Sequence, residues 1–484
     1  MSNVTPVLII GAGPVGLTAA AMLAHYDVPV RIIDKKLKPT QTSNAVAVHA
    51  RTLELLSILG LADKFLSAGK LAKSMEMYAS RLHLASINLD LIESKYNYVC
   101  CVPQSITEQI LIEYLQQHGI QIERSQELIS LSIGMDHLVM AVTNTETIEA
   151  NWVVACDGYH SIARELLNIP YEGDDMKLDF MIIDAPVSWD LPLDSLYACF
   201  CDDISLAIFP MQHSVRMIAE ISHAPQYHDT EPDENVFMDI AEQCVPGNLI
   251  IGKLLWRSKF RIHERLARQY MRERVILAGD AAHAHSPAGG QGMNTGMHDA
   301  INLAWKLALV IKGEAHENLL SSYEEERRPV AQQVLSVSGH MTDVALSRHI
   351  ILSKLRNVLM PLLTKLNAVQ KKIIGFIGET AINYEKSSYV AGQSCHHMYP
   401  GDRSAYINPA AGLKHTLIDF KGDAHQVFAD NDWVQVISAS ALDLPDDLRR
   451  LDNVYCILRP DFYIGYLGDN LNDALQYFQK IKMG

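Results

Sequence analysis

A chain of 484 residues with 48% hydrophobic and 20% charged residues is long enough for two or three domains, and this composition excludes a disordered protein. The net charge of −15 argues against non-specific binding to nucleic acid, which requires a basic surface. The eight cysteines contain no CxxC pair, so they indicate neither a zinc site nor a redox dithiol. They are predicted to be buried free thiols in a reducing compartment, as is typical of a cytoplasmic protein.

The N-terminal residues predict a βαβ unit. Val7–Ile10 is a short apolar strand, a helix follows to about Tyr26, and a second strand ends at Asp34. The first strand and the helix are joined by the motif GAGPVG at 11–16, whose glycine spacing suits a tight turn, the approach of a pyrophosphate and close helix packing. Asp34 is placed where a carboxylate can accept hydrogen bonds from both hydroxyl groups of an adenosine ribose. The unit therefore predicts a dinucleotide site, without choosing between NAD and FAD.

Three later stretches carry polar residues that suit either a cofactor or local structure. Arg51 enters a predicted helix and could bind a phosphate or pair with Glu54. Gln104 precedes another predicted helix and could bind a cofactor or cap that helix. Arg164 follows a buried strand and the turn at Asp157, where it could bind a phosphate or pair with that carboxylate. The residues alone leave these alternatives open.

The stretch Gly279–Gly296, with the sequence GDAAHAHSPAGGQGMNTG, joins a predicted strand at 275–278 to a predicted helix at 297–311. Glycines let the backbone approach a ligand closely, and N–H groups at the start of a helix attract negative charge. The stretch therefore suits a ligand, although most glycine-rich loops are only turns. His283 and His285 lack companion metal ligands and are predicted to be structural.

Beyond this motif, the chain changes from long helices to short strands. The residues at 348–372 predict a basic amphipathic helix, which can lie on an anionic membrane. Docking of that helix on the N-terminal domain is the favoured interpretation. From about Gly392 the pattern predicts short strands and turns, closed by a helix at Asn472–Ile481.

The order of three motifs resembles the single-component FAD-dependent aromatic hydroxylases. These motifs are GAGPVG with Asp34, DGYHSIAR at 157–164, and GDAAHAHSPAGGQGMNTG at 279–296. Para-hydroxybenzoate, phenol and polyketide hydroxylases belong to this family, and the phenol and polyketide members, which carry a C-terminal extension, are the more similar. The motifs span residues 7 to about 310, and their combination is highly specific.

The resemblance implies an α/β fold made of several domains. A Rossmann-like FAD-binding domain of the glutathione-reductase type would occupy residues 1–175 and 269–330. An inserted β-sheet substrate domain would occupy 176–268, followed by long helices at 331–391 and a thioredoxin-like C-terminal domain at 392–484. Because that last domain lacks CxxC, it is expected to make packing or dimer contacts rather than to act in redox chemistry.

The resemblance also assigns residues to the cofactor. Asp280 is implied to bond the ribityl chain, and residues 290–294 to lie beneath the isoalloxazine ring, where backbone N–H groups stabilise developing negative charge. Many relatives have arginine where this chain has Asn44, so Arg51 or Lys35 would replace its role in the nicotinamide path. The full implied set is Gly11, Gly13, Pro14, Gly16, Asp34, Lys35, Asn44, Arg51, Gln104, Asp157, Gly158, Arg164, Gly279, Asp280, Pro287, Gly290, Gln291, Gly292, Met293 and Asn294.

The implied function is an FAD- and NAD(P)H-dependent monooxygenase acting on a phenolic or polycyclic aromatic substrate, with O2 as the second substrate. In this family a reduced flavin and O2 form a C4a-hydroperoxide, and the protein supplies position, electrostatics and exclusion of water. The resemblance implies bound FAD, and because the chain has one GxGxxG motif and no second nucleotide-binding pattern, NADPH or NADH is expected to bind only transiently. Pro287 is implied to border the oxygen site, and Arg216, His213 and Tyr197 are candidates to bind or deprotonate a phenol.

Two rival interpretations remain at this stage. One is an FAD reductase or dehydrogenase without oxygen transfer, and the other is a non-catalytic flavin-binding protein. A homodimer is compatible with the family, whereas contact with a membrane surface is not favoured.

Overall fold

The structure is a computed structural model that describes residues 4–39, 45–173, 179–201, 203–261, 264–284, 290–345, 364, 366–428, 431–446 and 448–484. Asn44, His285, Pro287 and most of the predicted basic helix at 348–372 lie outside the described residues. Among the helices of the described part, none combines the length and the apolar character needed to cross a membrane.

The described helices and strands are numbered here in chain order. The helices are α1 (Pro14–His25), α2 (Ala50–Leu56), α3 (Ala62–Ala68), α4 (Gln104–Gln117), α5 (Ile162–Leu166), α6 (Glu234–Cys244), α7 (Gly292–Ile311), α8 (Ser321–Ala345), α9 (Asn367–Ile377), α10 (Ala424–Val427) and α11 (Leu471–Met483). The first strands are β1 (Thr5–Ile10), β2 (Val30–Asp34), β3 (Ala47–Val48), β4 (Lys70–Ala72), β5 (Ser74–Ala79), β6 (Leu82–Asn88), β7 (Val99–Cys101), β8 (Ile122–Arg124), β9 (Leu128–Ile133), β10 (Val139–Thr143) and β11 (Thr147–Ala155). The middle strands are β12 (Tyr171–Glu172), β13 (Asp179–Ala185), β14 (Val187–Ser188), β15 (Ser195–Phe200), β16 (Ser205–Pro210), β17 (Val215–Glu220), β18 (Ile250–Ile251), β19 (Trp256–Arg261), β20 (Arg265–Ala267), β21 (Met271–Arg272), β22 (Val275–Leu277) and β23 (His283–Ala284). The last strands are β24 (Ala391–Gly392), β25 (His415–Asp419), β26 (Val434–Ser438), β27 (Tyr455–Leu458) and β28 (Ile464–Gly468).

The N-terminal layer is a largely parallel sheet that contains the predicted βαβ unit. Its parallel strands follow the order β8-β2-β1-β11-β22, with β21 antiparallel at one edge and the hairpin β9–β10 attached to β11. From β1, later strands of the chain follow on both sides of the sheet, β2 and β8 on one side and β11 and β22 on the other. The direction of winding therefore changes between β1 and β11, and a doubly wound sheet binds its ligand at such a point.

A second sheet has the strand order β19-β13-β17-β16-β15-β5-β6. Strands β16 and β17 form an antiparallel hairpin within this sheet. However, β5 and β6 come from the segment predicted to belong wholly to the first domain, and β5 pairs parallel with β15. The sequence boundary at residue 176 therefore misses two strands of the sheet domain, because their pairing joins segments about 120 residues apart in the chain.

One face of this second sheet packs against α6, and a disulfide lies at that contact. Met181, Ile183 and Met217 from the sheet share a core with Phe237 and Ile240 from the helix. A disulfide bond joins Cys201 to Cys244, the last residue of α6. The prediction that all cysteines are free thiols is wrong for this pair, because tertiary packing brings together residues that are 43 positions apart. The remaining six cysteines are free.

The C-terminal part forms a mixed sheet of order β24-β28-β27-β25-β26. Strands β25 and β26 are parallel, whereas β27 is antiparallel to both β25 and β28. Helix α11 packs on this sheet through Tyr477, Phe478 and Ile481, which are buried and lie on one face of the helix. The sheet lies against α7, where His415 of β25 contacts the ring of Trp305.

Candidate cofactor and substrate site

Four predicted cofactor segments meet at the carboxyl edge of the parallel sheet. The glycine motif follows β1, Asp34 ends β2, Asp157 comes after β11, and Gly279 comes after β22. Because these strands are parallel neighbours, their carboxyl ends lie side by side although the segments are far apart in the chain. The sheet topology therefore assembles the motifs that the sequence placed separately.

The glycine motif has the geometry of a phosphate-binding turn. Gly11 has φ +99, and a Cβ atom there would lie 2.4 Å from the carbonyl oxygen of Cys156. A Cβ atom on Gly16 would lie 1.9 Å from the carbonyl oxygen of Gly11, so the helix can approach the strand only with glycine at this position. A Cβ atom on Gly13, in contrast, meets no atom within 4 Å. Since α1 begins at the next residue, Pro14, this space suits a pyrophosphate at the helix N-terminus.

Asp34 is fixed by backbone donors and keeps capacity to accept further hydrogen bonds. The backbone N–H of Ala12 donates to Oδ2 at 2.7 Å, and that of Lys36 donates to Oδ1 at 2.7 Å. Arg124 Nη1 lies 3.6 Å from Oδ2. A carboxylate has about four acceptor sites, so the ribose hydroxyl groups of FAD fit this position. Lys35 is exposed at the same end of β2.

Arg164 connects the second motif to the third. Its Nη1 donates to the carbonyl oxygen of Ala281 at 3.1 Å, and its Nη2 donates to that of Tyr159 at 3.0 Å. The guanidinium group also lies 3.8 Å from the ring centroid of Tyr171. The predicted local pair with Asp157 is therefore wrong, because the guanidinium group is turned toward the carbonyl groups and the carboxylate of Asp157 accepts the backbone N–H of Ala163 instead.

Asp280 is the accessible acid of the third motif. Its carboxyl group can be reached by solvent, although protein atoms enclose it on most sides. This enclosure raises its pKa, with His283 lowering and Asp299 raising it to a lesser extent. Its backbone carbonyl accepts a hydrogen bond from the Tyr171 hydroxyl at 2.8 Å, which fixes the turn. An accessible carboxylate in this place fits the ribityl hydroxyl groups of FAD.

The first and third motifs are packed directly against each other. Gly279 has φ +61, and a Cβ atom there would lie 2.8 Å from a methyl group of Val15. A Cβ atom on Gly296 would lie 2.6 Å from the same methyl group. Gly279, in the turn before α7, and Gly296, within α7, therefore leave the space that the side chain of Val15 occupies.

The start of α7 is held by the side chain of Asn294. Its Nδ2 donates to the carbonyl oxygens of Ala47 at 2.9 Å and Gly290 at 3.0 Å. Its Oδ1 accepts the backbone N–H of His49 at 3.1 Å and the hydroxyl of Thr52 at 2.8 Å. Asn294 therefore positions the glycine turn, and the helix N-terminus presents backbone N–H groups, from Gly292 and Met293 onward, toward the cofactor edge.

A buried ion-pair network supports the third motif from behind. Asp299 Oδ1 accepts Arg327 Nε at 2.7 Å, while Oδ2 lies 2.6 Å from His283 Nε2 and accepts the N–H of Gly279 at 3.1 Å. Burial alone would raise the pKa of Asp299, but His283 and Arg327 lower it below the ordinary value. The position of His283 within this buried network agrees with the structural role predicted for it. Sequence reasoning missed Asp299 and Arg327, since a charged residue inside a helix gives no signal of its partners.

Two other candidates lie away from the phosphate-binding turn. Arg51 is fully buried, and it donates to Glu54 Oε2 at 2.8 Å and to the carbonyl oxygen of Asp461 at 2.7 Å. The local pair with Glu54 is therefore present, and a second hydrogen bond connects Arg51 to the C-terminal part of the chain. A cofactor role for Arg51 stays a prediction. Gln104 is the first residue of α4, where its Nε2 donates to Glu108 Oε1 at 2.9 Å.

A cavity of about 760 Å³ lies between the second sheet and helices α7, α8 and α9. Its walls are mainly apolar, with aromatic rings from the sheet and from α9. Gln291 of the glycine-rich stretch, and Ala47 and His49 from the segment around β3, also line it. The sheet contributes Met75, Phe180, Leu196, Phe209 and Ile218, and α9 contributes Ile373, Phe376 and Ile377. The buried acids of the wall are Glu220 and Glu379.

Of the three residues predicted to bind a phenol, only Tyr197 lines the cavity. Arg216 is fully buried in a two-bond pair with Asp184, at 2.8 and 2.7 Å, and its Nη1 donates to the carbonyl oxygen of Ala45 at 3.1 Å. His213 is exposed in the turn between β16 and β17. Both predictions of contact with the substrate are wrong, because neither side chain lines the cavity. Tyr197 does line it, but its hydroxyl donates to the carbonyl oxygen of Pro192 at 2.6 Å.

Helix α9 and Glu379 were not identified from the sequence. They belong to a stretch interpreted only as a basic helix and its continuation. Gln291 Nε2 donates to the carbonyl oxygen of Phe376 at 2.8 Å, which ties α9 to the glycine turn. The available signal was an isolated acid in the apolar run GFIGET at 375–380.

Comparisons with known proteins agree with this arrangement of motifs. Residues 4–338 match the family model described as "FAD binding domain". The chain is 32% identical over 332 residues to rifampicin monooxygenase of Streptomyces venezuelae, covering 68% of this chain and 69% of that protein. It is 33% identical over 411 residues to 6-methylpretetramide 4-monooxygenase of Streptomyces rimosus, covering 82% and 73%. Among solved structures, OxyS anhydrotetracycline hydroxylase from Streptomyces rimosus matches with a TM-score of 0.78 and 27% identity, covering 98% of this chain and 99% of that one.

Proposed function

We propose that the substrate is a polycyclic phenol, on the premise that the chain belongs to the FAD-binding-domain family of single-component aromatic hydroxylases. The protein is an FAD-dependent monooxygenase that uses NAD(P)H and O2 to hydroxylate an aromatic compound. FAD, when bound, supplies electron transfer from the nicotinamide and activation of oxygen. The chain supplies the binding edge, the orientation of the two ligands and a cavity that excludes water.

The observation that carries the substrate proposal is the size and lining of the cavity. About 760 Å³ lies in the upper part of the range of roughly 300–1,000 Å³ typical of small-molecule sites. The aromatic and aliphatic walls favour flat apolar rings, and the buried acids Glu220 and Glu379 favour ligands that donate hydrogen bonds over carboxylate ligands. Two relatives are named for 6-methylpretetramide and for 12-dehydrotetracycline and anhydrotetracycline.

We assign the FAD edge to the residues whose geometry fits the cofactor. The turn at Gly11–Gly16 with the start of α1 would hold the pyrophosphate, and Asp34 the adenosine ribose. Asp280 would bond the ribityl chain, and Gly290–Asn294 would lie beneath the flavin ring. The support is the space at Gly13, the accessible carboxylate of Asp280 and the N-terminus of α7. Pro287 as the neighbour of the oxygen site, and Asn44 and Lys35 in the nicotinamide path, stay predictions.

We further propose a thioredoxin-like topology for the C-terminal domain. The order β26-β25-β27-β28, with β25 and β26 parallel, β27 antiparallel to its neighbours and α11 closing the chain, supports this topology. The sequence lacks CxxC, so the domain would act in packing. Cytoplasmic location, a homodimer and contact of 348–372 with a membrane stay predictions.

The test of substrate class uses ligands graded by ring number. Purified FAD-loaded protein is mixed with NADPH or NADH and with phenol, 2-naphthol, emodin or anhydrotetracycline, and nicotinamide oxidation is followed. We expect stimulation to rise from one ring to three or four rings. If phenol alone stimulated nicotinamide oxidation, the proposal of a polycyclic substrate would be contradicted. If the rate of oxidation were the same with every ligand and without ligand, the cavity would not control the reaction.

A further inference from the structure

Glu379 is a buried acid in the wall of the cavity and has no assigned role. It is 4% exposed and follows α9 through Gly378. Both carboxylate oxygens are covered, and among the described residues neither accepts a hydrogen bond of normal geometry. A buried polar group left without a hydrogen bond is unfavourable, so a partner at some stage of the reaction cycle is expected.

The groups facing Glu379 come from three neighbouring helices and the cavity wall. His298 of α7 is nearest, with Nε2 3.4 Å from Glu379 Oε2. Thr52 of α2 and Thr295 of α7 approach with their hydroxyl groups, but the Thr52 hydroxyl donates to Asn294. The further charged or titratable groups that act on this pair are Asp299, Arg327, Arg51 and His49. Glu220 and Lys372 also line the cavity.

An ordinary buried ion pair does not explain this arrangement. Burial, followed by the charges of Arg327 and Arg51, holds the pKa of His298 well below its usual value, so the ring is neutral at pH 7. Burial raises the pKa of Glu379 to about 8, although Arg327 opposes this shift. Both groups are therefore mainly uncharged at pH 7, and Glu379 can gain or lose a proton close to physiological pH.

The backbone holds Glu379 in a conformation that is costly for a residue with a side chain. Its φ is +54°, in the left-handed region that residues other than glycine rarely adopt. The carbonyl oxygen of the preceding Gly378 accepts the backbone N–H of Arg51 at 3.0 Å, and the N–H of Glu379 donates to Phe376 at 3.1 Å. The surrounding contacts thus fix the position from which the side chain enters the wall, as is common at functional sites.

We propose that Glu379 is the catalytic residue that accepts the proton of the substrate's phenolic hydroxyl group, its carboxyl group turning toward the cavity when the ligand binds. On binding, the carboxyl group loses its own proton to solvent and accepts a hydrogen bond from the ligand. As oxygen is transferred, the ligand O–H bond breaks, the proton passes to Glu379, and the electron pair stays on the phenolic oxygen and enriches the ring. His298 is a positioning residue that fixes the carboxyl group. This inference rests on the proposed phenolic substrate.

The test measures protons released when a ligand binds to oxidised, FAD-loaded protein without nicotinamide, so no turnover occurs. Calorimetric titrations with 2-naphthol at pH 7 in two buffers of different ionisation enthalpy give the proton count. We expect release of a measurable fraction of a proton, at most one per ligand, because burial raises the pKa of Glu379 to about 8 and leaves the free group mainly protonated at pH 7. The methyl ether 2-methoxynaphthalene, which cannot donate, should release none.

Substitutions show whether the proton release comes from Glu379 itself or from ligand binding in general. Glu379→Gln should bind 2-naphthol without proton release and should flatten the rise of kcat/KM through about pH 8. The control variant Glu127→Gln, which removes an exposed acid outside the cavity lining, should keep the release. Release by Glu379→Gln equal to that of the wild type, or binding by the wild type without release, would overturn the inference while leaving the proposed function intact. If no phenol of the graded panel binds the wild type, the proposed function fails and this inference fails with it.

Discussion

At the residue scale, Asp280 is an exposed polar side chain of the third motif, at the cofactor edge of the sheet. Its neighbours in the motif are used for packing: Gly279 receives Val15, and His283 pairs with Asp299. Its backbone carbonyl accepts a hydrogen bond from the Tyr171 hydroxyl, so the turn that carries the carboxylate is held in place. A preorganised acceptor of this kind binds a hydroxyl ligand without a further ordering cost.

We predict that Asp280→Asn weakens FAD binding about 10- to 150-fold. The variant loses a hydrogen bond to a charged acceptor, which contributes about 1.5–3 kcal/mol. The measurement is the flavin content after dialysis, followed by titration of the apoprotein with FAD. The control Asp136→Asn changes an exposed acid in a turn and should retain FAD like the wild type. Equal affinity in the two variants would contradict the assignment of Asp280.

The distant contacts of the buried arginines could not be predicted from the sequence. The positions of the glycines, Asp34 and Asp280 at the ends of strands were predictable because their spacing follows the strands that carry them. Arg51 and Arg216 were not, since their partners Asp461 and Asp184 lie at unrelated positions in the chain. Glu379 could not be chosen either, because its environment comes from helices that pack together only in the fold.

At the element scale, α9 is the wall that closes the cavity opposite the sheet. Ile373, Phe376 and Ile377 face the cavity, and the carbonyl oxygen of Phe376 is bonded to Gln291 beside the glycine turn. Lys371, on the same helix, is exposed and lies 3.3 Å from Glu93. The helix therefore has one ligand-facing side and one solvent side, and its ligand-facing side sets the cavity depth.

We predict that Phe376→Ala raises the Kd for 2-naphthol roughly 5- to 30-fold, because it removes about 1–2 kcal/mol of apolar contact. FAD content should stay at the wild-type level, since the backbone bond to Gln291 does not need the phenyl ring. Binding is measured by titration of the oxidised holoprotein. Lys371→Ala serves as the control on the opposite side of the helix and should leave the Kd unchanged. Equal effects of the two substitutions would show that α9 does not line the ligand site.

Elements formed by neighbouring residues were predictable, whereas distant pairings were not. The βαβ unit follows from local periodicity and matches the structure. The addition of β5 and β6 to the second sheet depends on pairing between distant segments, for which periodicity carries no information. The same reason explains the unexpected disulfide between Cys201 and Cys244.

At the scale of the whole molecule, a buried charge cluster joins the C-terminal domain to the cofactor domain. Arg459 donates to both oxygens of Glu326, at 2.7 and 2.8 Å, and to Asp461 at 2.9 and 2.6 Å. Lys306 of α7 also reaches Glu326 at 2.8 Å. All of these side chains are almost fully buried, so the removal of one partner leaves an uncompensated charge.

We predict that Arg459→Met lowers the free energy of unfolding by about 3–5 kcal/mol. Urea unfolding followed by circular dichroism measures this loss, together with any separate transition of the C-terminal domain. Arg449→Met is the matched control, since Arg449 is exposed and pairs only with the exposed acids Asp443 and Asp446 among the described residues. An exposed pair contributes about 0–1 kcal/mol, so a comparable loss in both variants would contradict the role of the buried cluster.

The central claim is that this protein transfers oxygen to an aromatic ring. The most direct measurement is mass spectrometry of the product formed from a polycyclic phenol and NADPH or NADH under an atmosphere of 18O2. We predict that one heavy oxygen atom enters each hydroxylated product, and that no label enters when the water rather than the gas carries 18O. Oxidation of the nicotinamide with reduction of the flavin but without label in any aromatic product would contradict the account.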